Sequence, residues 1–425
     1  MPEAEYGKYI LYISLYGITS SVASVPISAG VIYNLFSRED AENSAAAICG
    51  FLISVPVNLI ICALLFAFSP FLEISTKVIP ILFLHVLLDN IISASLLKSR
   101  FSYEATRVLF IEIFKSLISS LIAIFLVSRL SLGYLGRVYA FVVTLIPFAV
   151  LSLARLLKSS ARIKGSLFTG VVSNAAPSIL STLFLSAGIY SVNILVSALL
   201  GEEALASFSI FNTLATSPIF VISALISALA PYIQSCVSLS AYPPIFRAHS
   251  LCAGGLSALV MLIALISPEC FNFLAPAGYG ENPFILLPLL IYVLLKFSDQ
   301  FLTAILNAKK SYKRVMISNF LFSLTCISML FVLLFSLGLI ATGCALSIAT
   351  LISVSYKSYS LREVIGCSFS AFDILLPLGQ AIAVCALAIS LSARPEIRIL
   401  LAIFPAVKLL NLYFGEGRLL LGGSG

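Results

Sequence analysis

Val108-Leu-Phe-Ile-Glu-Ile-Phe-Lys-Ser-Leu-Ile-Ser-Ser-Leu-Ile-Ala-Ile-Phe-Leu-Val127 is the stretch on which the fold class turns. A helix of these 20 residues, rising about 1.5 Å per residue, crosses a hydrocarbon core of about 30 Å. Lipid offers the backbone no hydrogen-bond partners, so a spanning segment is either a helix or part of a closed barrel. Barrel strands alternate apolar and polar residues, and this run is too long and too uniformly apolar for that. Two charges interrupt it, Glu112 and Lys115, three residues apart and hence on one helix face.

Runs of the same kind recur at residues 9–36, 45–68, 78–97, 138–156, 167–200, 204–233, 251–266, 284–306, 315–337, 339–356, 374–391 and 397–412. They amount to about thirteen spans. Across 425 residues, 60% are hydrophobic and 10% charged, and the mean hydropathy is +1.10. A water-soluble domain could not cover itself with so little polar surface. The expected fold class is an all-α polytopic membrane protein. The net charge of +7 sits in short clusters between apolar runs and forms no basic stripe, so nucleic acid is not expected as a partner. Cysteines are scattered singly and neither histidine stands at metal-ligand spacing, so no disulfide framework, metal site or cofactor is expected. The first run is too long for the core of a signal peptide and has no basic stretch before it, so it reads as a span.

Loops rich in Lys and Arg stay in the cytoplasm. Alternating the loops collects Arg38, Lys98, Arg100, Arg107, Arg155, Lys158, Arg162, Lys164, Arg247, Lys309, Lys310, Lys313, Arg314, Lys357, Arg362 and Arg418 on one side. Only Lys8, Lys77, Arg129, Arg137, Arg394 and Arg398 fall on the other, while Lys115, Lys296 and Lys408 lie within spans. This places the C-terminus in the cytoplasm and Met1 outside.

The chain also repeats itself. Pro2-Glu-Ala-Glu-Tyr-Gly-Lys-Tyr9 resembles Glu202-Glu-Ala-Leu-Ala-Ser-Phe208, and each leads into a proline-containing span. Asp89-Asn90 followed by Lys98-Ser-Arg-Phe-Ser-Tyr103 resembles Asp299-Gln300 followed by Asn307-Ala-Lys-Lys-Ser-Tyr312. The halves read as residues 1–160 with five spans and residues 166–365 with six, followed by a pair at 370–412. The span at 167–200 has no counterpart before the first half under this division, which suggests that an opening helix is missing. Paired repeats are a common way to place a substrate path between two bundles that rock against each other.

No Walker A loop, nucleophile elbow, His-Glu-x-x-His motif or pair of catalytic carboxylates is present in a plausible setting, so no catalytic residues are expected. Ionisable groups inside spans carry more meaning, because each costs about 2.5–3.5 kcal/mol at the bilayer centre on insertion scales. Three sets stand out: His85, Asp89 and Asn90; Glu112 and Lys115; Lys296, Asp299 and Gln300. Each occupies one helix face. They are either local ion pairs and bundle packing or the lining of a water-filled cavity, with lysines attracting an anionic head group and Asp89 or Asp299, with His85, binding H⁺ or Na⁺. Asn174 with Pro177, Asn193, and Asn212 with Pro218 form a second polar set, either glue between helices or a path beside proline-broken backbone. Tyr6, Tyr9, Tyr12 and Tyr16 read as interfacial aromatics or cavity lining.

Glu5-Tyr6-Gly7-Lys8-Tyr9, the Ser37-Arg-Glu-Asp40 loop, Gly201-Glu-Glu-Ala204 and the span carrying Ser217-Pro218 and Ala230-Pro231 together resemble bacterial O-antigen and capsule flippases. These are the polysaccharide branch of the multidrug, oligosaccharidyl-lipid and polysaccharide exporter superfamily. The likeness is diffuse and covers essentially the whole chain. The resemblance implies fourteen helices in two lobes around a central cavity, plus a final pair. It implies an undecaprenyl-pyrophosphate-linked oligosaccharide as cargo, moved to the outer leaflet of the bacterial inner membrane by alternating access, with an ion gradient as the drive and a polysaccharide polymerase as partner. On that basis Lys115 and Lys296 are the expected contacts to pyrophosphate, Asn174, Asn193 and Asn212 the contacts to sugar, and Asp89 or Asp299, with His85, the ion site. A multidrug exporter or peptidoglycan-precursor flippase of the same fold is the nearest alternative, and a membrane polymerase or glycosyltransferase a more distant one.

Overall fold

The computed structural model describes residues 2–33, 40–70, 75–101, 105–159, 165–274 and 283–366, with isolated positions between 379 and 407. Among the described residues the regular structure is helical throughout. The helices are α1 (Glu3–Ala23), α2 (Val25–Tyr33), α3 (Asp40–Phe68), α4 (Val78–Phe101), α5 (Ala105–Ser128), α6 (Gly133–Ser159), α7 (Gly165–Leu200), α8 (Glu202–Thr216), α9 (Ile219–Ser238), α10 (Tyr242–Leu274), α11 (Leu286–Ala308), α12 (Tyr312–Leu337) and α13 (Ile340–Ile365). Ten spans, or eleven with α8 and α9 counted as one bent span, are long and apolar enough to cross a membrane. The multi-pass helical architecture is as expected. The pair expected at 370–412 lies outside the described residues apart from scattered positions.

Prolines set the breaks. Pro26 has no N–H to extend the ladder of α1, and the chain restarts as α2 one residue after Ser24. Between α8 and α9, Ser217 and Pro218 produce a bend of 42°. Pro56, Pro147 and Pro177 sit inside α3, α6 and α7 without ending them.

By internal contacts the chain divides into two compact units, Met1–Ala206 and Ser207–Gly425. In the first, α7 packs on α1, α2 and α3. Asn193 of α7 donates to Ser14 Oγ of α1 at 2.8 Å. The Tyr190 ring lies so close to Gly17 that a Cβ there would come within 2.2 Å of it. This differs from the division at residues 160–166 drawn from the sequence. With α7 included, the first unit holds six candidate spans among the described residues. Gly17→Ala is expected to lower stability by about 1–3 kcal/mol, because Tyr190 must leave its site. A thermal unfolding midpoint unchanged in detergent would show that the ring moves freely.

Burial separates lipid-facing helices from central ones. Only 11% of the α5 span is buried, against 78% for α11. On α5 the exposed side chains Leu109, Phe110, Ile113, Phe114, Leu117, Leu121 and Phe125 are what a helix presents to hydrocarbon, where apolar surface costs nothing. In the second unit, α11 packs on α9, α10 and α13, and α12 packs on α13. Small residues permit the closest of these approaches. A Cβ on Gly343 of α13 would lie 2.8 Å from the Pro288 ring of α11, and Ser347 Oγ donates to the Pro288 carbonyl at 2.6 Å.

Candidate functional site

In the first unit, α1 and α4 are joined by two polar rungs. Tyr12 OH lies 2.8 Å from His85 Nδ1, and Tyr16 OH donates to Asp89 Oδ2 at 2.8 Å. Both pairs are 73 residues apart in sequence, so a step of four along one helix matches a step of four along the other. The two helices therefore run in the same direction, with one turn of α1 facing one turn of α4. His85 is stacked between the rings of Tyr16, at 4.1 Å, and Phe141 of α6, at 5.5 Å. The tyrosines that the sequence left as interface or lining residues thus hold the two ionisable groups of α4 in place.

From α5, Lys115 Nζ reaches Asp89 Oδ1 at 3.6 Å and Glu112 Oε2 at 2.9 Å. Tertiary packing therefore merges two of the three sets seen in the sequence into one cluster. Two carboxylates share one ammonium there, for a formal excess of one negative charge. The cluster borders a cavity of about 750 Å³ within this unit, enclosed by α1, α4, α5 and α6. Ser116, Ser119, Ser120 and Ser128 of α5 and Thr144 of α6 line it, together with Tyr16, His85 and Arg137. On α5, Ser116 and Ser119 share a face with Glu112 and Lys115, turned away from the exposed Phe110, Phe114, Leu117, Leu121 and Phe125, whereas Ser128 lies at the helix end on the side of those apolar residues. Ile13, Ala123, Ile124, Val127, Phe141 and Leu145 complete the lining, so the cavity sets a few hydroxyls and both signs of charge in an otherwise apolar wall, which suits a ligand with polar and apolar parts.

The third set folds differently. In the second unit Asp299 of α11 is almost completely enclosed, at 4% exposure. Its Oδ1 accepts from Ser353 Oγ and from Lys357 Nζ of α13, each at 2.5 Å. Its Oδ2 accepts from Lys296 Nζ at 3.4 Å, and Ser353 is in turn paired with Ser318 of α12 at 2.8 Å. Lys296 also lies 5.4 Å from the centre of the Phe322 ring. Here two ammoniums share one carboxylate. Lys357 was counted from the sequence among the cytoplasmic loop cations, and the structure corrects this: it is completely buried. The apolar run ends at 356, whereas the helix continues to Ile365. The legible signal was the polar stripe Ser347, Thr350, Ser353, which continues at helical spacing to Lys357 and Ser360, all five buried.

Of the asparagines, Asn193 is committed to Ser14, as a link between helices. Asn212 is half-buried on α8. Neither lines the cavity. Asn174 is on α7, with its side chain outside those described. Of the other nominated residues, Lys115, Asp89 and His85 come together at the cavity, whereas Lys296 and Asp299 lie in the separate cluster of the second unit. Arg137, placed from the sequence in an outer loop, is on α6 and lines the cavity.

Solved structures match this architecture over most of the chain. One is the lipid II flippase MurJ in an inward closed conformation, with a TM-score of 0.64 at 15% identity over 97% of this chain and 95% of that one. Another is a multidrug resistance MATE family transporter of the MOP superfamily in an inward-facing conformation, with a TM-score of 0.62 at 13% identity over 90% of this chain and 94% of that one. This chain has the fold of the MOP-superfamily transporters. A third match is a MOP superfamily transporter from Pyrococcus furiosus, described as having a binding pocket of reverse polarity, with a TM-score of 0.59 at 15% identity over 86% and 89% of the two chains. No protein-family model and no curated protein matches the sequence.

Proposed function

We propose that this protein is a flippase of the bacterial inner membrane that carries an undecaprenyl-pyrophosphate-linked oligosaccharide, an O-antigen or capsule repeat unit, to the outer leaflet. The observation that carries the proposal is the first-unit cavity, where hydroxyl groups and an Asp89–Lys115–Glu112 cluster lie within a helix bundle that must be apolar outside. Intramembrane charge is expensive and is retained where it handles a polar solute or an ion. In this reading Asp89, held by Tyr16 and flanked by His85, takes up H⁺ or Na⁺, and Lys115 sets its charge. The hydroxyl wall meets the sugars. The likeness in fold to a lipid II flippase supports cargo on a lipid carrier. The C-terminus is cytoplasmic, following the excess of Lys and Arg on that side, and the flipped unit passes to a polysaccharide polymerase. Lys296 and Asp299, enclosed with Lys357, serve here to hold α11 against α13.

Complementation of a strain lacking its own O-antigen flippase tests this directly. Surface polysaccharide is expected to return when the chain is expressed and inserted; its absence with inserted protein would overturn the reading. A second reading, a multidrug exporter, draws on the excess acid at Lys115, which would suit cationic compounds, and on the MATE likeness. It predicts instead a raised tolerance to cationic dyes in an exporter-deficient strain, with no return of polysaccharide.

A further inference from the structure

We infer that Arg137 is the seat for an anionic group of the transported molecule, with the first-unit cavity reading that molecule as a hydroxylated ligand charged at one end. The inference rests on the transport reading above for its biological meaning, though the binding site itself does not depend on it.

Several other cations already have carboxylate partners. Lys115 is claimed by two carboxylates, at 3.6 and 2.9 Å. Lys8 pairs with Glu5 and Glu202, and Lys296 and Lys357 are enclosed around Asp299. Arg137 lines the cavity, and among the described residues no carboxylate pairs with it. Its guanidinium lies 4.4 Å from the centre of the Tyr9 ring. Tyr9 is itself buried, so a fixed aromatic ring supports one side of the guanidinium. The guanidinium also donates a hydrogen bond to the Tyr9 side chain, and its remaining N–H groups can meet the paired oxygens of a phosphate or carboxylate.

Position adds polarity. Along α5 the cavity lining runs from Glu112 and Lys115 to Ser128, and the 13 residues from Lys115 to Ser128 cover about 20 Å of helix. Arg137 stands beyond the turn from α5 into α6, beside the Ser128 end. The Asp89–Lys115–Glu112 end carries the excess negative charge and repels an anion, while the Arg137 end attracts one. Between them, Ser119 and Ser120 supply hydroxyls from α5, and Thr144 shares the Arg137 and Phe141 face of α6. A ligand with an anion at one end and hydroxyls along its body is oriented by this gradient. The anion has two sources in such cargo, a pyrophosphate linker or the carboxylate of an acidic sugar, and a guanidinium fork takes either.

The test uses the full chain purified in detergent at low ionic strength, with thermal unfolding and calorimetric titration against inorganic pyrophosphate, glucuronate and uncharged glucose. At least one of the two anions is expected to bind and raise the unfolding midpoint, with glucose much weaker. Arg137→Gln is expected to weaken that binding by about tenfold or more, while Arg137→Lys retains part of it. Binding of pyrophosphate alone would assign the seat to the linker, and of glucuronate alone to an acidic sugar. Failure of both anions to bind the wild-type chain, or equal binding by Arg137→Gln and wild type, would overturn the inference. Anion binding through Arg137 in a chain that fails to restore surface polysaccharide would keep the seat and remove the flippase reading.

Discussion

Asp299→Leu will lower the stability of the protein by about 3–5 kcal/mol, the loss seen when one partner is removed from a buried ion pair and the other charge is left uncompensated. Lys296 and Lys357 would both remain, each buried, with no carboxylate between them. Lys357→Met is expected to do far less harm, because it leaves Lys296 and Asp299 as a balanced pair at 3.4 Å and removes the surplus charge. Replacing all three together by apolar residues should recover most of what Asp299→Leu loses, since apolar packing of similar volume is often as stable as a buried ion cluster. The order of the three unfolding midpoints in detergent is the measurement. Were Lys357→Met as damaging as Asp299→Leu, charge balance would not be what holds α11 to α13.

Asp89→Asn is expected to act in the opposite way, impairing transport while leaving the fold intact. Removing this carboxylate leaves Glu112 and Lys115 as a neutral pair at 2.9 Å, and Asn can still accept from Tyr16. No buried charge is stranded, so the unfolding midpoint should stay close to that of wild type. Surface polysaccharide in the complementation assay should fall by about tenfold or more, within the 1–3 kcal/mol range of typical coupling energies between sites. Full polysaccharide with Asp89→Asn would remove Asp89 from the proposed ion site. The two aspartates stand at matching places in the internal repeat, so these variants ask whether one carboxylate works while its counterpart serves as a strut.

Much of the fold could be read in advance because its cause is local. Each span declares itself through about 20 apolar residues in a row; lipid permits only helices and closed barrels, and a run so uniformly apolar is not a barrel strand. The pairing of Glu112 with Lys115 and of Lys296 with Asp299 is likewise local, fixed by a spacing of three. The bend at Pro218 follows from the missing N–H.

The sequence alone therefore determined the helical membrane architecture, the two-fold repeat and the short-range ion pairs, since each depends on residues within a few positions of one another or on plain composition. Tertiary structure alone decided which helix belongs to which unit and which charges meet. It placed α7 against α1, brought Asp89 to Lys115 across two helices, and drew Lys357 from an assumed loop into contact with Asp299, 58 residues away. It also left Arg137 beside Tyr9 at the end of a cavity. Those outcomes depend on how helix faces are rotated and paired in lipid. In that solvent every apolar face is equally content, and only small residues, hydroxyls and buried charges choose the partners.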